Sequence, residues 1–100
     1  MEHELKTDPD VFDDVVSARK LFELRFNDRN FNVGDILKLR KTKYTGKEMS
    51  EGKPLEYIGN PFYVLVLHIL KGPIYGLADG WIIMSITPCR YVEKTSLTPP

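Results

Sequence analysis

The segment of residues 62–70 constrains the fold most strongly, because His68 alone interrupts an otherwise apolar run. Strands with one exposed face alternate between apolar and polar residues, so a continuous apolar run predicts a central strand covered on both faces. The run is far too short to cross a bilayer, which takes about 20 residues as a helix. We interpret His68, with apolar neighbours on both sides, as a hydrogen-bonded core residue. The chain is therefore expected to fold around a sheet, with no membrane role.

Shorter patterns predict the other strands and one helix. Residues 20–26 alternate with period two, which predicts a half-buried strand with apolar side chains on one face and Glu23 and Arg25 on the other. Asp8 and Pro9 suit the N-cap and first position of a helix, which we expect over residues 9–19. The remaining predicted strands are residues 3–6, residues 36–41 with Leu37 and Leu39 inward, and residues 81–87 with Trp81 in the core.

Glycine and proline mark the segments without regular structure. Residues 42–59 lack periodicity and contain three glycines and a proline, which predicts a long loop or an irregular hairpin. Residues 95–100, ending in two prolines, are expected to form a frayed tail. The order strand, helix, four strands in 100 residues favours a single α+β domain over residues 1–100. We expect a small curled sheet or β-barrel of about five strands with one N-terminal helix.

The charge balance limits how the chain can bind nucleic acid. Lysine plus arginine and aspartate plus glutamate each number 14, so the formal net charge is zero and no diffuse attraction to a phosphate backbone is available. One segment is nevertheless basic, and its members are Lys38, Arg40, Lys41, Lys43 and Lys47. A phosphate-facing edge and an ordinary solvated face both fit this pattern. Lys38 and Arg40 are expected to point outward, or into a groove if the sheet curls.

The cysteine count and the N-terminal residues indicate the setting of the protein. Cys89 is the single cysteine, which excludes an internal disulfide and a thiolate metal cluster. Residues 2–6 are charged and polar, unlike a signal peptide. We therefore expect a cytoplasmic, monomeric protein with no metal and no cofactor.

Three charged residues form the most informative pattern. Glu23 and Arg25 lie two apart on a predicted strand and project from the same face, while Lys20 lies at the junction of helix and strand. A carboxylate flanked by two cations can accept hydrogen bonds from base amino groups while the cations hold a phosphate or carbonyl oxygen. The alternative is a salt-bridge cluster that pins the helix to the sheet.

A family resemblance rests on these residues. Ala18, Lys20, Glu23 and Arg25 resemble the GxKxxExR signature of ASCH domains, in the PUA-like superfamily, and a Val-Gly-Asp turn follows at residues 33–35. The wider pattern is similar to an uncharacterised bacterial and phage branch of that family, over residues 3–86. The resemblance implies a PUA-like barrel that binds RNA or a modified nucleotide through Lys20, Glu23 and Arg25.

Other residues extend the candidate site. Asp28 and Arg29 follow the motif strand and either join the site or cap their own turn. In the predicted loop, Tyr44 could stack on a base and Thr45 could donate a hydrogen bond beside it, or the tyrosine could cover the barrel end. The first strand supplies two possible phosphate contacts, His3 and Lys6, whose alternative is an edge-strand role.

Two other functions remain open on the sequence. Some bacterial ASCH proteins resemble amidohydrolases that act on N4-acylated cytidine through a lysine and a threonine nucleophile. Here Lys20 matches the lysine, but Glu23 stands in the place of the threonine, so catalysis requires Lys20 and Glu23 to act as an acid/base pair on a bound water. The third possibility is a phage or host protein-interaction adaptor that uses the long loop and the residue 62 strand.

Overall fold

The computed structural model describes residues 1–89 and contains five strands and two short helices. The predicted frayed tail lies outside the described residues. The elements in chain order are β1 (Glu2–Thr7), α1 (Pro9–Val16), β2 (Phe22–Phe26), β3 (Ile36–Lys41), α2 (Gly46–Ser50), β4 (Phe62–Lys71) and β5 (Trp81–Pro88). The predicted α+β class and the five-stranded sheet are confirmed, whereas α2 was not predicted.

All five strands form one curled sheet in the order β1-β3-β4-β5-β2. β1 pairs with β3 in parallel, and the other three pairings are antiparallel. β1 and β2 are therefore the edge strands, yet the Arg25 Nη2 group of β2 donates a hydrogen bond to the Lys6 carbonyl of β1 at 3.0 Å. The sheet thus curls into a half-barrel whose two edges face each other.

The hydrophobic core lies on the concave face of the sheet, under α1. Leu37 and Leu39 are fully buried, as their alternation in β3 predicts. Phe12 and Val15 are the buried residues of α1, and the Phe12 ring packs edge-on against Phe62 with centroids 6.4 Å apart. The other buried apolar side chains are Leu5, Phe31, Val64, Val66, Ile82, Met84 and Ile86.

The end of α1 differs from the prediction and positions the next strand. The helix ends at Val16 because Ala18 adopts a left-handed conformation with φ of 63°. The Ala18 N–H donates to the Val15 carbonyl and the Arg19 N–H donates to the Asp14 carbonyl, which is the hydrogen-bond pattern of a Schellman motif. Glycine is the usual residue at this position, so the small residue of the signature has a structural role in ending the helix.

The predicted loop contains α2, and its start is capped twice. Thr45 Oγ1 accepts a hydrogen bond from the Glu48 N–H, and Glu48 Oε1 accepts one from the Thr45 N–H, which together form a capping box. Asp8 is the N-cap residue of α1, but its carboxylate accepts from the Gly46 N–H at 2.9 Å and not from α1. The Asp8 side chain therefore links the two helices.

Two residues predicted to lie in the core are exposed. Trp81 is 40% exposed at the start of β5, and His68 is exposed in the second half of β4. The register of β4 against β5 shifts between Val66 and His68, and neighbouring Leu67 is 51% exposed. β4 is central in the sheet as predicted, but it is covered on both faces only in its first half.

Candidate functional site

A cleft opens between the two edge strands of the half-barrel. It encloses a cavity of about 520 Å³. Four cationic and three anionic side chains are among its lining residues, which are Leu5, Lys6, Thr7, Asp8, Val11, Lys20, Glu23, Leu24, Arg25, Phe26, Asp28, Arg29, Phe31 and Trp81. The structure therefore brings together Lys6, Lys20, Glu23, Arg25 and Arg29 of the predicted site, together with Asp28.

Glu23 lies buried at the centre of the charged residues in this cleft. Only 3% of its side chain is exposed, and each carboxylate oxygen has its own cation. Lys20 Nζ lies 3.0 Å from Oε1, and Arg25 Nε lies 3.1 Å from Oε2. The three groups thus form the salt-bridge cluster of the second alternative, and the same groups also line an open cavity.

The local backbone explains why Lys20 reaches the cleft. After the turn at Ala18 the chain reverses out of α1, and the Lys20 N–H donates to the Asp14 carbonyl at 3.0 Å. The lysine side chain then folds back along β2, donates to the Phe22 carbonyl and lies over the Phe22 ring, 4.7 Å from its centroid. This arrangement places the Lys20 ammonium beside Glu23, and 19% of the Lys20 side chain remains exposed.

Arginine side chains bridge the gap between the two edge strands. The carbonyl of Met1, just before β1, accepts a hydrogen bond from the Ile36 N–H, and the Thr7 carbonyl at the end of β1 accepts one from the Thr42 N–H. Carbonyls alternate in direction along a strand, so those of Glu4 and Lys6 face away from β3. Arg25 donates to the Lys6 carbonyl, and Arg29 donates to the Glu4 carbonyl. Two guanidinium groups therefore connect β1 to β2 and the turn after it, in place of a backbone ladder.

The cations keep hydrogen-bonding capacity for a ligand. Arg25 uses Nε and Nη2 for Glu23 and Lys6, which leaves three of the five guanidinium N–H groups without a partner among residues 1–89. Each Glu23 oxygen has a second lone pair in addition to its ion pair. The cleft can thus donate to phosphate or carbonyl oxygens and accept from an amino group within a few ångströms.

The predicted half-buried strand of residues 20–26 is β2 (Phe22–Phe26), but the face that it buries is the polar one. Glu23 is 2% exposed, whereas Phe22, Leu24 and Phe26 are 45%, 48% and 52% exposed. The polar face of this strand is thus the buried one, and the apolar face is turned away from the hydrophobic core. Phe26 and Trp81 also line the cleft, where their rings meet edge to face with centroids 5.8 Å apart.

Four predicted site residues lie outside this cleft. Lys38 and Arg40 project beside Glu4 on the convex face, with N–O distances of 3.7 and 3.6 Å, and Arg40 also lies 4.2 Å from the Tyr57 ring centroid. Thr45 is engaged in capping α2. Tyr44 lies between Lys43 and Lys53, whose ammonium groups are 5.6 and 5.3 Å from its ring centroid. Within the basic segment, Lys38 and Arg40 therefore face away from the core, whereas Lys41 pairs with Asp13 of α1 at 2.9 Å.

His3 does not line the cleft, and of its two alternatives the structure shows the position in an edge strand. It is 6% exposed, its Nε2 lies 2.9 Å from Asp35 Oδ2, and its ring packs edge-on against Phe31 at 4.7 Å. Burial acts to raise the pKa of Asp35, but hydrogen bonds from the Asn32 N–H, His3 and the N-terminal ammonium outweigh it and lower that pKa. This cluster anchors β1 to the turn before β3.

No group of three or more histidine, cysteine, aspartate or glutamate side chains in residues 1–89 is arranged to hold a metal ion. Over the same residues, neither helix has the length and apolar character needed to cross a membrane.

The chain belongs to a family described as a domain of unknown function (DUF3850), whose model matches residues 2–86. The matched region extends from β1 into β5 and includes every residue that lines the cleft. A search of curated proteins finds no match.

Proposed function

We propose that the cleft between β1 and β2 binds RNA or a nucleotide, with Lys20, Glu23 and Arg25 as the recognition residues. The observation that supports this most is the burial of Glu23 in an open cavity between two cations that still have unused donors. A nucleotide presents complementary groups, namely amino and carbonyl groups on the base and anionic oxygens on the phosphate. The resemblance to ASCH domains supports the same residues.

The charges of the cleft favour a local contact over a general attraction. Four cations and three carboxylates line it, so the local excess of positive charge is small, and the whole chain is neutral. A ligand must therefore be recognised by directed hydrogen bonds, with one or two phosphates contributing a moderate salt dependence. This pattern fits a short single-stranded segment better than a long duplex, which proteins contact mainly through many phosphates.

A titration of fluorescently labelled single-stranded RNA at low salt, followed by anisotropy, tests the proposal. We expect Lys20→Met and Arg25→Met to weaken binding by about tenfold or more, since a hydrogen bond to a charged group is worth about 1.5–3 kcal/mol. Lys47→Met is the matched control, because Lys47 lies on α2 outside the cleft. Circular dichroism verifies that each variant is folded. Absence of binding at low salt, or equal affinity in all three variants, contradicts the proposal.

A second candidate is hydrolysis of N4-acylated cytidine, favoured by the 3.0 Å contact between Lys20 and Glu23 inside the cavity. In this reaction the pair acts as acid and base on a bound water that attacks the acyl carbon. Release of cytidine from N4-acetylcytidine, lost in Lys20→Met and kept in Lys47→Met, supports the enzyme. Binding without turnover supports the recognition module.

A further inference from the structure

Two exposed aromatic rings line the cleft beyond its charged residues. Phe26 and Trp81 face each other across the β2 and β5 pairing, and 52% and 40% of their surfaces remain exposed. Their rings meet edge to face, and the exposed part of each ring remains available for contact with a ligand. These two residues are called the aromatic rim.

The backbone beside the rim fixes the position of the Phe26 ring. Gly80 has φ of +84°, and a Cβ at this position would lie 2.6 Å from Phe26 Cε1. The ring therefore lies directly against the glycine backbone, next to the hydrogen bond from the Asn27 N–H to the Gly80 carbonyl. A ring held in this way loses little conformational freedom when a ligand stacks on it.

We propose that the aromatic rim stacks the base adjacent to the one held by Lys20, Glu23 and Arg25, so that the ligand is single-stranded nucleic acid of two or more nucleotides. This inference rests on the proposed function of the cleft. Aromatic side chains stack on any base, and single-stranded sites combine such rings with cations that contact the backbone. Arg29 lines the same cleft and supplies a cation to the phosphate between the two bases.

The edge strands favour nucleic acid over an extended peptide as the ligand. A peptide that added to β1 would need the outward carbonyls of Glu4 and Lys6 for its own N–H groups. Arg29 and Arg25 already donate to these two carbonyls. A base needs neither carbonyl, because it can use the exposed surface of the rim and the unused donors of Arg25.

Trp81 is the sole tryptophan of the chain, so it reports directly on stacking. The experiment titrates the protein with cytidine 5′-monophosphate, a cytidine dinucleotide and single-stranded oligocytidine of six residues. We expect the dinucleotide and the hexamer to quench Trp81 fluorescence and to bind about 5- to 100-fold more tightly than the mononucleotide, since stacking of one base contributes a factor of this size.

Variants separate the rim from the charged residues. In anisotropy competition assays, Phe26→Leu, Trp81→Leu and Gly80→Ala should each lower the affinity for the dinucleotide by a larger factor than the affinity for the mononucleotide. Tyr75→Leu is the control, because Tyr75 is a 92% exposed aromatic residue outside the cleft.

The outcomes distinguish the two proposals. The rim proposal is overturned if the mononucleotide and the dinucleotide bind with equal affinity, or if the rim variants behave like Tyr75→Leu. Either result leaves the cleft proposal standing. Failure of all three ligands to bind at low salt overturns both. Loss of mononucleotide binding in a folded rim variant also contradicts the rim proposal, because it places the first base on the rings.

Discussion

Replacement of Glu23 by glutamine should destabilise the protein far more than the same change at Glu4. Each glutamate lies between a lysine and an arginine, so the two sites form a matched pair. They differ in burial and in distance, since the Glu23 side chain is 3% exposed with contacts of 3.0 and 3.1 Å, whereas Glu4 is 47% exposed with contacts of 3.7 and 3.6 Å. The comparison isolates the effect of placing a carboxylate inside the half-barrel.

The magnitude follows from the contacts that are lost. Two charge-assisted hydrogen bonds of about 1.5–3 kcal/mol each set an upper bound of about 6 kcal/mol. The actual effect is smaller, because water reaches Lys20 and Arg25, which are 19% and 28% exposed, and because glutamine keeps one acceptor oxygen. We therefore expect Glu23→Gln to lower the free energy of unfolding by about 2 kcal/mol. For a chain of this size such a loss lowers the melting temperature by about 8–16 °C. The exposed Glu4 pairs should contribute about 0.5 kcal/mol.

Urea denaturation followed by far-ultraviolet circular dichroism measures both losses. High salt provides a second criterion, because about 1 M salt screens exposed pairs and affects buried pairs much less. The Glu4→Gln effect should therefore disappear at high salt and the Glu23→Gln effect should persist. Equal losses for the two variants, or equal sensitivity to salt, would refute the assignment of Glu23 as a buried carboxylate held between two cations.

Three further predictions concern the surrounding structure. Ala18→Gly should raise the free energy of unfolding by about 0.5–1 kcal/mol, because the left-handed conformation suits glycine; a lower melting temperature would contradict this reasoning. Asp35 has a lowered pKa, so its contribution to stability is complete above its ordinary value of 3.8 and is lost as the pH falls through the folded-state pKa. The difference in unfolding free energy between wild type and Asp35→Asn should therefore shrink in that acidic window, and a difference that does not shrink would contradict the lowered pKa. Burial raises the pKa of the Cys89 thiol, so its reaction with a thiol reagent should be slow at pH 8 and accelerate above pH 9; a rate at pH 8 equal to that of free cysteine would contradict the burial.

Local patterns in the sequence predicted much of the fold. Alternation in β3 identified the strand bounds and the inward positions of Leu37 and Leu39, because a strand with one buried face must repeat with period two. The capping box of α2 was also present in the sequence as Thr45 followed by Glu48, a recognisable helix start that was overlooked.

The inward face of β2 and the exposure of Trp81 depend on long-range geometry. Alternation shows that the two faces of β2 differ, but it does not show which face points inward. Here the sheet curls until its edges meet, and the polar face of β2, with Glu23, lines the resulting cleft. Trp81 is exposed for a related reason, since it lies at the start of β5 beside Phe26 of β2, where both rings line the open cleft instead of the core.

The location of the ligand is the central claim, and backbone amide NMR tests it most directly. The measurement titrates ¹⁵N-labelled protein with the single-stranded cytidine hexamer and follows the amide shifts of residues 1–89. The account predicts that the largest changes occur in residues 5–8 of β1 and its end and in residues 20–26 around β2. Changes centred on Lys38, Arg40 and α2, or no changes at saturating ligand and low salt, would contradict it.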